Sequence, residues 1–316
     1  MSYWVGVWKR LRHHKLAVAG FAVFVTLVLT SAFVPLISPY GVEDMDLESL
    51  FAPPSRAHPF GTDELGHDVF VRIMYGGRIS LFVGVAAATS SALLGTAIGL
   101  VSGFAGGWVD SLLMRFTDMM LSVPTIPVLL IGAMFLGSGL TNIIIILAIF
   151  GWMSTARLVR GVTLSLREQP FVEAARAAGA GTLRILVRHM LPNLIPIVIV
   201  AATLGVSSAI LAESALSYLG LGIQPPTPSW GNMLQRAMDY ILGAGGDYGQ
   251  PWWLTVFPGL FILLAVLSVN FMGDGLRDAI DPRLVLGSQA GSGASAADER
   301  GCTRSPQAVD AAGKAD

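Results

Sequence analysis

An all-α protein with six membrane-spanning helices is the fold class that this sequence predicts, and three observations carry the expectation. Only 13% of its 316 residues are charged while 53% are hydrophobic, against roughly 25% charged in a soluble globular chain. The mean hydropathy is +0.64. Charge-free stretches long enough for a bilayer core, which takes about 20 apolar residues per helix, run from Leu16 to Ile37, Ile79 to Val109, Met119 to Ala156, Met190 to Ala212 and Tyr248 to Gly273. Finally, 36 Gly and 17 Pro are many for a simple helical bundle but fit interrupted, closely packed membrane helices.

Each element can be justified in order. Trp4, Trp8 and Leu11 recur at helical spacing beside Lys9, Arg10 and Arg12, so residues 1–15 are expected to lie as a short helix in the inner membrane interface. The apolar run after Lys15 is longer than the 7 to 15 residues of a signal-peptide core and is expected to be retained as the first span. An acidic segment follows, with Glu43, Asp44, Asp46, Glu48, Asp63, Glu64 and Asp68. Within it Thr62 is expected to cap the helix entering the second span, with Asp63 and Glu64 at that helix's positive end. This reading is preferred to a metal site of Asp63, Glu64, His67 and Asp68. The third stretch is too long for one crossing, and Gly137-Ser138-Gly139 divides it into a third span starting near Asp110 and a fourth.

Residues of about 160–190 form an inner loop that looks folded. Pro170 suits a first helical position, Phe171, Ala174, Ala175 and Ala178 recur on one face, Gly179 closes the helix in the left-handed conformation, and a second helix starts near Thr182. The uncharged run from Ser214 to Gln235 holds Gly220, Gly222, Pro225, Pro226, Pro228 and Gly231 and is read as an ordered loop. From 287 to 316 the chain turns to Gly, Ala, Ser and scattered charge, the composition of a disordered tail. Residues 16–286 are therefore the six-span domain.

Lys and Arg set the orientation. Lys9, Arg10, Arg12, Lys15, Arg115, the six arginines from Arg157 to Arg188, Arg277 and Arg283 fall on one side, against Arg56, Arg72, Arg78 and Arg236 on the other. Both termini are thus expected in the cytoplasm. The formal net charge of -1 argues against nucleic-acid binding, and the single cysteine excludes an intramolecular disulfide or a cysteine-based zinc site. No ionisable residue falls near the middle of an assigned span, which disfavours an ion-coupled carrier. There is no Gly-x4-Gly-Lys-Ser/Thr phosphate loop, so any ATP and Mg would be held by another subunit. Asp274 lacks the Gly-x-Gly-Asp context and the second aspartate of an intramembrane protease, and the chain is not expected to be an enzyme.

The inner loop also carries a resemblance. Glu173-Ala174-Ala175, then Gly179, then Leu191-Pro192 resemble the coupling-loop signature of ABC importer permeases, Glu-Ala-Ala-x3-Gly-x9-Ile-x-Leu-Pro, with His189 in place of the Ile. Phe60 to Gly66, Gly106 to Asp110, Leu219 to Pro226 with Ser229-Trp230-Gly231, and Gly273 to Asp278 with Asp281-Pro282 are similar to the peptide/nickel type, the dipeptide and oligopeptide permease C group. The resemblance implies the transmembrane domain of a type I ABC importer, pairing with a homologous sister permease, two ABC ATPase subunits and an extracytoplasmic substrate-binding protein. It implies that Glu173, Ala174, Ala175, Gly179, Leu191 and Pro192 belong to the ATPase-coupling loop. Short peptides are the expected cargo, with nickel or another small solute as the alternative and an ion-coupled secondary carrier more remote. Glu213, Gln224 and Trp230 are candidates for the substrate path, Glu213 being expected at a solvated outer helix end.

Overall fold

The computed structural model describes residues 3–240 and 250–280, and within them every regular element is helical. The expected tail from 287 to 316 lies outside the described residues. Five helices are long and apolar enough to cross a membrane, or six when one sharply bent pair counts as a single span. The all-α, polytopic expectation holds.

Helix α1 (Tyr3–His13) leads directly into α2 (Lys15–Ile37). Arg10 donates to the Ala279 carbonyl at 3.3 Å and His14 lies 3.4 Å from Asp278, so α1 is tied to the far end of the last helix. Helix α3 runs from Val69 to Ala105, so the helix entering the second span begins past the expected cap at Thr62 and before the charge-free stretch that opens at Ile79. Charge counting stops at Arg72 and Arg78, yet both are satisfied on the helix. Arg72 donates to Asp63 at 3.2 Å, and Arg78 donates to the carbonyls of Ser31 and Ala32 at 2.6 and 2.7 Å. The cap is also displaced from Thr62: Asp68 caps α3 by accepting from the Val71 amide at 2.9 Å. Thr62 instead pins the preceding loop, its hydroxyl accepting from the Ala52 amide and donating to the Ser49 carbonyl.

The stretch expected as the third span is broken. Helices α4 (Gly107–Ser122) and α5 (Thr125–Leu136) meet at a 92° bend. Pro124 stands at the break, where it has no amide to continue the ladder and its ring opposes helical continuation. Helix α6 (Leu140–Arg167) then packs along α3. Gly95, Gly99 and Gly103 recur every four residues on α3, one per turn on the same face. A Cβ on Gly95 would lie 2.5 Å from the Trp152 carbonyl, and one on Gly103 would lie 2.8 Å from the Thr163 Cβ. Only glycine lets the two backbones approach this closely, and in lipid such approach supplies the packing that the hydrophobic effect does not.

After the short helix α7 (Pro170–Ala177) the chain climbs back as one rod from Thr182 to Tyr218. The rod comprises α8 (Thr182–Arg184), a π-helical turn at Ile185–Met190, and α9 (Leu191–Tyr218). The second inner helix and the fifth span, expected as separate elements, are therefore continuous. The run from Ser214 to Gln235 is loop only in part: its beginning completes α9, and Ser229 opens α10 (Trp230–Asp239) with a reciprocal capping box shared with Asn232. The last helix, α11, spans Trp253–Ile280.

Four buried clusters result among the described residues, including one around α10 and one around α7. At the α10 end, Val34, Val69, Ile73, Ile210, Trp230 and Ala265 belong to one buried cluster. At the α7 end, Leu100, Val159, Val172, Ile185, Met190 and Leu194 form another.

Candidate functional site

Three regions bear on function: the α7 element, a central cavity and the α10 cap. In the α7 element Pro170 occupies the first turn, where its missing amide has no helical partner to lose. The helix ends in a paired hydrogen-bond motif in which the Gly179 amide donates to the Arg176 carbonyl at 2.9 Å and the Ala180 amide to the Ala175 carbonyl at 3.0 Å. Gly179 takes φ of +79°, the left-handed conformation that this closure requires. The one-face expectation needs correction. Val172 and Ala175 turn inward to the core, whereas Phe171, Glu173, Ala174 and Ala178 are exposed. Ala175 is thus a support for the element and not part of its outer face. The Arg176 guanidinium lies 5.2 Å from the centre of the Phe104 ring, which anchors α7 against the end of α3. Leu191 and Pro192 begin α9, directly after the π turn.

Ion pairs brace the α4–α6 contact nearby. Arg160 makes a two-pronged contact with Asp110, each N···O distance 2.5 Å, and Ser102 donates to the same carboxylate. Arg157 pairs with Asp118 at 2.5 Å. The sequence supplied these charges, but their pairing depends on the close α3–α6 approach and on α4 lying beside them.

Above the α7 element, α3, α4, α5, α6 and α9 surround a cavity of about 480 Å³. Its lining carries no charged side chain. It is apolar and small-residued, interrupted by hydroxyls that include Ser91, Ser154, Thr155 and Ser208. These residues were absent from the sequence-based candidates, although a signal existed: Ala201, Gly205, Ser208, Ala209 and Ala212 recur at three- and four-residue spacing along one strip of α9.

None of the three proposed path residues lines this cavity. Trp230 is 0% exposed and donates its indole N–H to the Ile73 carbonyl at 2.9 Å. Gln224 is exposed and donates to the Gly220 carbonyl at 2.7 Å. Glu213, expected to be solvated, is 0% exposed. Helix α9 continues past it to Tyr218, and α10 folds over it. Its carboxylate accepts from the hydroxyls of Ser80 at 2.9 Å, Ser217 at 2.8 Å and Ser214 at 3.4 Å. The serines relay the contact: the Trp230 amide donates to the Ser80 hydroxyl at 3.3 Å and the Ile223 amide to that of Ser217 at 3.1 Å. Glu213 therefore ties the α10 cap to α3 and α9.

The same end is fastened by a second polar set. Asp63 receives His67 and Arg72, Asp68 receives His58 at 2.9 Å, and Glu64 receives Arg236 at 3.0 Å. Among the described residues no three His, Cys, Asp or Glu side chains are grouped to hold a metal ion. The acidic residues near Thr62 act as receptors for neighbouring cations and amides.

Residues 95–286 match the family of binding-protein-dependent transport system inner membrane components, and residues 2–54 match the N-terminal transmembrane domain of oligopeptide transport permease C. The chain is 43% identical over 284 residues to the dipeptide transport system permease protein DppC of Bacillus subtilis, covering 90% of this chain and 87% of that protein. It is 42% identical over 284 residues to the oligopeptide transport system permease protein OppC of the same organism, covering 90% and 91%. A di/tripeptide transport system permease protein DppC of Pseudomonas aeruginosa is 41% identical over 283 residues, covering 88% of this chain and 91% of its own length.

Proposed function

We propose a specific role for this chain, which belongs to the family of binding-protein-dependent transport system inner membrane components: it is the membrane-spanning permease subunit of an importer for short peptides. The observation that carries the cargo is the run of dipeptide, di/tripeptide and oligopeptide permeases at 41 to 43% identity over nearly the whole chain. An uncharged, hydroxyl-dotted cavity suits that cargo. Peptides share a backbone that hydroxyls can hydrogen-bond, and a wall without fixed charge does not select among their side chains.

The chain is a transport subunit and performs no covalent chemistry. ATP and Mg reside on two ABC ATPase subunits that dock at the α7 end, which lies in the cytoplasm with both termini. A sister permease completes the path beside the cavity, and a substrate-binding protein delivers peptide at the α10 end. Glu173, Ala174 and Gly179 form the face that meets the ATPases. Closure of those subunits pushes α7, the movement passes into α9, and the cavity alternates between the two sides. Peptide biases the cycle only through its different affinity for the two states.

The test is the double variant Gly179→Val with Glu173→Lys. Valine opposes the left-handed conformation by roughly 1 to 2 kcal/mol, and lysine reverses a charge on the exposed docking face. Membrane insertion and pairing with the sister permease are expected to remain normal, while peptide uptake and recovery of the ATPase subunits on affinity purification fall. Full uptake with full ATPase recovery would refute the coupling role.

A further inference from the structure

Between α7 and the body of α9 the helix widens for one turn. The Leu191 amide donates to the Leu186 carbonyl, five residues back and not four, and Ile185–Met190 is π-helical. Such turns act as a one-residue insertion into an α-helix and are frequent at functional sites. Pro192 follows at once. It has no amide to give the Arg188 carbonyl, and its ring would collide with that carbonyl in an unbroken α-helix. The Asn193 side-chain amide donates to the His189 carbonyl at 2.7 Å, supplying a bond where the ladder changes pitch. Pro196 lies in helix that stays α, so proline alone does not dictate a wide turn.

What distinguishes position 192 is the core behind it. Ile185, Met190 and Leu194 are 2%, 0% and 0% exposed and share one cluster with Val172 and Ala175 of α7. In an α-helix, residues five apart point about 140° away from each other. Ile185 and Met190 could not both face that cluster. The wide turn brings them onto one side, and with them sets the direction in which the preceding chain, including α7, is held.

We infer that Pro192 is a positioning residue for coupling: together with the buried Ile185, Met190 and Leu194 behind it, it holds the π turn and so fixes the rotational register between α7 and α9. This rests on the coupling reading of α7 given above. A register device has a consequence that mere stability does not: the inserted residue and the proline compensate for each other. Pro192→Ala removes the proline's share of that constraint and lets regular α winding compete, a winding that turns everything before the π turn by about 100°. Deleting Val187, an exposed member of the turn, from the Pro192→Ala chain leaves Ile185 and Met190 four apart, the spacing at which an ordinary α-helix places them on one side.

The experiment measures labelled dipeptide uptake, ATPase-subunit recovery and peptide-stimulated ATP hydrolysis in cells and membranes carrying the complete transporter. Pro192→Ala alone and the Val187 deletion alone are each expected to lower uptake by about tenfold, within the usual range of coupling between distant sites. The combined variant is expected to return to within about twofold of wild type. Wild-type uptake in Pro192→Ala, or no recovery in the combined chain, overturns the proposal. Gly179→Val run in parallel separates the two readings: if it leaves uptake intact, the coupling role of α7 is what fails, whereas its loss together with failed compensation condemns the register role alone.

Discussion

At the α10 end of the bundle polar groups turn inward and find partners within the chain, while at the α7 end large apolar groups turn outward. Glu213, Asp63, His67, Asp68, Arg72 and Asn232 are all buried and hydrogen-bonded. By contrast Leu183 is 73% exposed and Val187 54% exposed, beside exposed Phe171 and Arg188. A buried polar group must be satisfied internally because water is not available to it. Exposed apolar clusters are characteristic of surfaces that meet a partner or a membrane. The first end satisfies its buried polar groups within the chain, and the second leaves apolar side chains uncovered.

The comparison breaks most visibly at Trp230. Trp230→Ala removes the largest fully buried side chain and its bond to the Ile73 carbonyl, and is expected to cost about 3 to 5 kcal/mol. Thermal unfolding of the purified complex in detergent should show the largest drop in midpoint of these variants. An unchanged midpoint would mean that the α10 cap contributes little to the fold.

Glu213→Ala comes next. It leaves the Ser80 and Ser217 hydroxyls without their shared acceptor, at an expected cost of about 1 to 3 kcal/mol. Glu213→Gln keeps one acceptor oxygen and should recover part of that loss in the same unfolding measurement. If the two variants behave alike, the serine relay is not what holds the cap.

Leu183→Ser tests the opposite end. Because the side chain is mostly exposed, the stability of the permease should change by no more than about 0.5 kcal/mol, while recovery of the ATPase subunits falls. A fall in the unfolding midpoint with normal recovery would show that Leu183 packs within this chain. The smallest effect is expected from removing residues 287–316, whose composition offers little apolar surface. Uptake and complex yield should match full length, and a large loss of either would identify the tail as an interaction element.

How far the sequence could be read depended on whether a feature was local. Pro170 and Gly179 announced the two ends of α7 because a fixed φ and a left-handed residue act on the chain at their own positions. The small-residue strip of α9 was equally open to reading. The cap of α3 and the place of its arginines were not, since they depend on partners elsewhere: Thr62 is held by the preceding loop, leaving Asp68 to cap the helix. Arg78 is satisfied by carbonyls of α2, which lie far away in the sequence. Glu213 was misread as solvated for the same reason, its burial coming from α10 and from Ser80 on α3.

By itself the sequence determined the membrane class and the local geometry of α7, because hydropathy and backbone preference are properties of neighbouring residues. Only the tertiary structure decided the bend at Pro124, the joining of α8 to α9 through a π turn, the inward facing of Ala175 and the fate of each buried charge. Those outcomes turn on which distant helix supplies a hydrogen bond or a packing surface, and in a medium that offers no water the partner's position decides where a polar group can lie.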